Sequence, residues 1–498
     1  MPTTWIHRGL AAACLACDVS TAHAVMLDQH GLGQVLVYPY YTVNSGQDTL
    51  LTIVNTADVG KAVHVTFREA YNGRETLAFN LFLSPHDAWS AAVSTIDGSA
   101  GSGARLLSSD SSCVQSLAYP APFTTTSFDA SAPAPSREDT GPTTPARTRE
   151  GMLEVIALGD VVPGSATAVA ITPAGSTGEG TRSCSLPAQI AADLVAPTGG
   201  LAGSGAIANV GEGTFYTYTA DALVGFTHSL LWTGTAAAPD LSSARSSASR
   251  FPNGAIANVS TSSGDAFALD YENAIDAVSA VFMADSIYNE FVIGNALGAN
   301  TDWVMTFPTR QFYVDKARHP GADVNPFAEP FGATANGESR VSASTEALFD
   351  REGASAWPAS GNCGSPPLCP SHVVFPGLGY QVSVLAFANT PASGVFGSQR
   401  RVLPMLTTQW DSFWTHADTG SLALDLANGD QGQHHLRAGT TSDGVHVQLT
   451  GLPVTGFMAY NVINTQAAPG RLANYGGTFR HRSLAHCTSD ADAADPCQ

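Results

Sequence analysis

The chain has 498 residues, with 22 Lys and Arg against 42 Asp and Glu, for a formal net charge of −20. That balance excludes binding of nucleic acid through a basic patch, because displacing counterions from phosphates needs clustered Lys and Arg. Charged residues make up only 13% and the AVILMFWYC set 44%, which excludes wholesale disorder and leaves room for roughly two to four folded domains.

Met1–Arg8 is short and carries one formal side-chain charge, on Arg8. Gly9–Ala16 is a small apolar run, interrupted further on by Asp18, and Ala22-His23-Ala24 matches the small-x-small pattern cut by signal peptidase. Residues 1–24 therefore read as a signal peptide, cleaved between Ala24 and Val25. Neither Cys14 nor Cys17 has an apolar branched residue three positions before it, which counts against a lipoprotein. No later stretch approaches the roughly 18 apolar residues of a spanning helix, so no transmembrane segment is expected. Cleavage leaves Cys113, Cys184, Cys363, Cys369, Cys487 and Cys497, an even number that suits disulfides in an oxidising compartment. Proximity suggests Cys363–Cys369 and Cys487–Cys497, and Cys113–Cys184 follows by elimination.

Strand signals dominate the next hundred residues. Gln34–Val43 is rich in β-branched and aromatic residues and ends at the turn Asn44-Ser45-Gly46, and Leu50–Asn55 reads as the next strand. In Ala62–Glu69, Val63, Val65 and Phe67 alternate with His64, Thr66 and Arg68, the period of a half-buried strand. Asn72-Gly73 is a hairpin signal because both residues tolerate positive φ. Leu77, Phe79, Leu81 and Leu83 share the following face, and Trp89, Ala91 and Val93 continue the alternation past Pro85. Strands this short and this spaced predict a mainly β fold of antiparallel β-sandwich modules, Ig-like or jelly-roll-like, with a few short helices.

Between Pro120 and Pro145 the composition turns to Pro, Ser, Thr and Ala with almost no apolar periodicity. The segment reads as a flexible loop inserted into one domain, since the Cys113–Cys184 bridge would span it; an interdomain linker is the alternative. Met152–Leu158 is a buried-strand run, and Pro187–Leu194 resembles a short helix opened by proline. The hexapeptide GAIANV at Gly205–Val210 recurs at Gly254–Val259, each time before a turn and an aromatic strand. It marks either two equivalent hairpins of a duplicated unit or turn chemistry shared by chance. Ala274–Met283 predicts a helix with Ile275, Val278 and Phe282 on its core stripe. Further strands are expected at Asp302–Phe307, Tyr380–Phe387, Ser421–Leu426, Val445–Leu449 and Phe457–Ile463. The division that results is a β-rich domain over 25–310, holding the Pro-rich loop near 120–149, and a C-terminal β-rich region over 311–498.

Four blocks, VLVYPYYTV from Val35, FREAYNGRE from Phe67, TDWVMTFPTR from Thr301 and ANYGGTFRHR from Ala473, resemble those of uncharacterised secreted proteins of Gram-negative bacteria. The resemblance covers most of the chain beyond the leader and implies export. It implies no reaction and transfers no catalytic residue.

Chemical motifs mostly fail on their context. Leu452–Gly456 fits LPxTG, but no long apolar segment and basic tail follow, so it reads as a turn between strands. No G-x-S-x-G elbow or H-E-x-x-H helix is present, and the one Cys-x2-Cys pair, Cys14 and Cys17, lies in the segment expected to be cleaved. His434 and His435, with His446 nearby, read as exposed loop histidines, because neighbours on a strand face opposite ways. Asp425, Asn428, Gly429 and Asp430 read as a polar turn, since they miss the alternating ligand spacing of a calcium loop. Asp270 with Glu272, and Asp285 with Glu290, are carboxylate pairs whose separation no sequence can measure. Trp410, Phe413 and Trp414 form an aromatic stripe, read as core before sugar platform. No catalytic, cofactor or metal residue is assigned. Two function classes remain: an exported, non-catalytic envelope or surface protein with a structural or adhesive role, or a secreted carbohydrate-active protein, either glycan-binding module or glycoside hydrolase. Envelope proteins or glycans are the expected partners, in the periplasm, on the outer surface or outside the cell.

Overall fold

β-Branched and aromatic residues at a period of two build antiparallel sheets throughout the protein, and the fold is mainly β and of sandwich type. The computed structural model describes residues 24–99, 101–115, 117–128, 141–172, 184–234, 238–264, 266–294, 298–315, 323–329, 339–341, 343–344, 348–353, 373–374, 377–387, 394–402, 419–429, 432–464, 467–490 and 497. Cys363, Cys369, Trp410, Phe413 and Trp414, with residues 1–23, lie outside the described residues.

Sheet I runs, in order, Met26–Leu27, Asp221–Val224, Val35–Thr42, Glu150–Val161, Gly60–Glu69, Glu75–Leu83 and Cys113–Gln115. Sheet II runs Thr214–Thr219, Leu201–Asn209, Asp48–Asn55, Ala88–Thr95, Ala104–Leu107 and Ala121–Pro122. The two sheets face each other: Phe79 meets Trp89 at 5.9 Å, and the Tyr38 hydroxyl donates to the Thr52 carbonyl. The Gly60–Glu69 strand was expected to be half buried, yet all ten of its residues are buried. Its inner face, Val63, Val65 and Phe67, belongs to the main core. The outer face is covered too, because Ala62 joins a second cluster with Phe82, Leu158, Ile171, Ile190 and Leu194. Chain from 184 to 195 and the helix Ala166–Ile171 supply that cover, held by the Cys113–Cys184 disulfide.

Sheet III runs Arg401–Val402, Val382–Phe387, Ala299–Thr306, Thr455–Val462 and Tyr475–Arg480; sheet IV runs Leu348–Asp350, Thr419–Asp425, Ser286–Val292 and Arg482–Leu484. One face of sheet III meets the first sandwich, where Phe457 stacks on Tyr218 at 5.0 Å and Phe396 meets Tyr216 and Tyr40. The opposite face meets sheet IV through Phe291, Phe387 and Trp303. Sheet V runs Ala255–Ser260, Ala266–Tyr271, Gly439–Thr440, His446–Leu449 and Cys487–Ser489, and the Cys487–Cys497 disulfide ties its last strand. Val25 bridges sheet V, its N–H donating to the Ile256 carbonyl, while Met26 and Leu27 pair with Val224 and Leu223 of sheet I. One continuous core runs through all of these layers.

The division at residue 310 is not followed by the sheets. Ala299–Thr306 is paired on both sides by strands from beyond it, Val382–Phe387 and Thr455–Val462. Four further expectations are corrected. The Pro-rich segment is part of the fold at both ends, with Ala121–Pro122 closing sheet II and Pro145–Arg149 forming a 3-10 helix; residues 129–140 lie outside the description. The helix placed at Pro187–Leu194 is a single 3-10 turn, Ile190–Asp193. Leu452–Gly456 is not a turn: Leu452–Pro453 pairs with Met283–Ala284, and Thr455 opens the next strand. His434 is buried, with its ring held by the Pro326 and Arg340 carbonyls. The helix Ala274–Ala280 does pack into the core, and it ends before Met283 because that residue enters a strand.

Candidate functional site

The Asn72-Gly73 signal makes a tight hairpin, with Gly73 at φ 72°, and the turn wraps around the carboxylate of Glu69. That fully buried carboxylate accepts from the N–H groups of Tyr71 (2.6 Å), Asn72 (3.0 Å) and Arg74 (2.9 Å) and from the Arg147 guanidinium (3.0 Å). Beside it Arg68 pairs with Glu154 at 2.9 Å and Arg74 with Asp315 at 2.8 Å. Arg310 is fully buried, and burial lowers its pKa to about 10 against the pull of the Glu69 charge. Gln381 joins the two sandwiches here, donating to the Phe307 and Pro308 carbonyls while its N–H donates to Tyr71. Arg400 lies over the rings of Tyr71 and Tyr380 at 4.7 and 5.4 Å. Two of the resembling blocks, FREAYNGRE and TDWVMTFPTR, thus meet in one buried ionic joint. A carboxylate surrounded by four donors has little capacity left to accept a substrate proton, so the joint holds layers together.

A groove of about 590 Å³ opens where sheet IV stops covering sheet III. Its floor comes from paired strands, since Met458 faces Phe479, Tyr460 faces Gly477 and Val462 faces Tyr475. The Tyr460 ring lies over Gly477, where an added Cβ would sit 3.1 Å from it. Phe479 is parallel to that ring within 5°, with centroids 6.3 Å apart. Tyr475 is 57% and Phe479 50% exposed, large values for aromatic residues on a sheet. Phe291 forms one wall with Asp350 on the same inner face, while Glu290, Thr419 and Ser421 border the groove through strand residues whose side chains alternate to the outer face. The Glu290 side chain is 59% exposed and lies 3.9 Å from Arg482.

Of the carboxylates singled out in the sequence, only Glu290 borders this groove. Asp285 binds His486 elsewhere, and Asp270 is buried against Ser249 and Arg250 while Glu272 stays at the surface. Asp425 caps its own turn by accepting from the N–H groups of Ala427 and Asn428. His434 and His435 do face apart, and His446 sits at the surface near Thr440. Among the described residues no three His, Cys, Asp or Glu side chains gather as metal ligands, and no helix is long and apolar enough to cross a membrane. The aromatic floor was missed in the sequence, although Tyr475, Gly477 and Phe479 carry the period of two that would have found it. No family model, curated protein or solved structure matches the chain.

Proposed function

We propose that the chain is an exported, non-catalytic β-sandwich protein of the cell envelope or cell surface, with a structural or adhesive role. The observation that carries this reading is the exposed aromatic floor of the groove, set on paired strands of sheet III. Rigid presentation of aromatic rings favours binding, since little ordering entropy is then lost on contact. The disulfides Cys113–Cys184 and Cys487–Cys497 support an oxidising compartment. A glycoside hydrolase is the second reading, favoured by the Asp350 carboxylate on the inner face of the groove. Fractionation of the native host with surface proteolysis, alongside an adhesion assay of a deletion strain, tests the proposal. Protein outside the cytoplasm and a loss of adhesion or envelope integrity are expected. Cytoplasmic retention, or substrate turnover abolished by Asp350→Asn in a folded protein, overturns it.

A further inference from the structure

We infer that the groove between sheets III and IV binds an uncharged oligosaccharide, an inference that rests on the adhesive reading above and names its ligand class. Three properties of the groove point there. Its floor is aromatic, because Gly477 leaves room for the Tyr460 ring to lie over the strand and Phe479 is held parallel to it. The apolar CH face of a pyranose ring packs on such a surface, whereas a helix or a branched apolar side chain needs a concave socket. Its inner rim offers the Asp350 carboxylate, which shares a face with Leu348, Gly420 and Phe291 and can accept from sugar hydroxyls. Its charge does not favour anions: Asp350 is the carboxylate on the groove face, and Arg351 lies 2.7 Å from Glu352, on a chain of net charge −20. The volume, about 590 Å³, falls within the roughly 300–1,000 Å³ of small-ligand sites.

The same strand sits at the edge of sheet III, so the rings are reached from outside. Its other side is occupied, because Thr478 donates to the Thr217 carbonyl of sheet II and Asn474 bonds Glu212. A further strand is thereby hindered from adding to this edge, which argues for side-chain contact rather than backbone pairing as the mode of binding.

The test uses the full oxidised protein on an array of neutral glycans (α- and β-glucans, mannan, galactan and N-acetylglucosamine oligomers) together with alginate and polygalacturonate. Calorimetry follows with the best binder, on the wild type and on Phe479→Ala, Tyr475→Ala and Asp350→Asn. Binding to at least one neutral glycan is expected, weakened roughly tenfold by each aromatic truncation at an unchanged thermal midpoint, the scale of one ring contact. Should an aromatic variant unfold, Asp350→Asn supplies the same reading from the rim. An array blank for neutral glycans, binding confined to the acidic polymers, or affinity unchanged in all three variants overturns the inference. So does preferential capture of an extended apolar peptide, or a dimer in sedimentation that Phe479→Ala abolishes. A blank array for a protein that is exported and adhesive defeats this inference alone, while glycan binding by a protein retained in the cytoplasm defeats only the location.

Discussion

His481 makes the stability of this protein depend on pH in a way that can be isolated. It lies where the chain passes from sheet III to sheet IV, against Trp303 at 5.2 Å. A carbonyl only accepts, so the 3.0 Å contact to Val304 places the proton on Nε2, and Nδ1 accepts from the Asn289 amide at 3.1 Å. Burial lowers the pKa of the ring to about 4. The group is therefore neutral in the folded state while the unfolded chain protonates near pH 6.5, so its stabilisation is complete above that value and lost as the pH falls. Between pH 7 and pH 5 the loss is about 2 kcal/mol. Asp302 acts in the opposite sense. Its burial raises the pKa to about 6, although the Phe396 and Val395 N–H groups and Arg401 draw it down. The same acidification therefore relieves about 1 kcal/mol of the cost of that charge. Wild-type protein sums these with other shifted groups such as His64 and His434, but the difference between wild type and His481→Gln cancels every group other than the histidine. Urea unfolding of the oxidised proteins, followed by tryptophan fluorescence, should show that difference shrinking by about 2 kcal/mol from pH 7 to pH 5. An equal difference at both pH values, or a larger one at pH 5, would refute the assignment.

Lys61 is fully buried and bonds Asp160 at 2.7 Å, so Lys61→Met should lower unfolding free energy by about 3–5 kcal/mol by stranding the carboxylate. Lys61→Met with Asp160→Leu should recover most of that in the same urea assay, and a double variant no better than the single one would count against it. Replacing Cys113 and Cys184 by serine opens a separation of 71 residues and should destabilise by about 4 kcal/mol, against about 3 for Cys487 and Cys497 at a separation of 10. Reversed order of the two losses would show that native contacts, not loop closure, set the scale. Val25 is fully buried and its N–H donates to Ile256, so the folded full-length chain should resist signal peptidase, while translocating chain is cut to a product 24 residues shorter by intact mass. Rapid cutting of the folded precursor would disprove that shielding.

Local signals placed the strands well. Val63, Val65 and Phe67, then Trp89, Ala91 and Val93, are inward residues of real strands because an alternating pattern has only one way to bury its apolar set. The Cys113–Cys184 and Cys487–Cys497 pairings were legible for a different reason, since few cysteines leave few partners. Burial of the second face was not legible: His64 and Arg68 are polar, and only the distant residues that bond them, Asn80 and Glu154, make their burial tolerable. The repeated hexapeptide shows the limit most directly. Both copies open hairpins, yet the first buries Gly205, Ile207 and Asn209 and leaves Val210 exposed, while the second buries Gly254, Ala255, Ile256, Ala257 and Val259 and exposes Asn258. Asn and Val exchange burial between the copies because a run of small and apolar residues does not specify which face meets the core. That choice was made by what each strand packs against, Asp48–Asn55 in one case and the buried Val25 in the other. The groove has the same origin: its rings are spaced by the strand, but their exposure depends on where sheet IV, built from four segments spread between Ser286 and Leu484, stops covering sheet III.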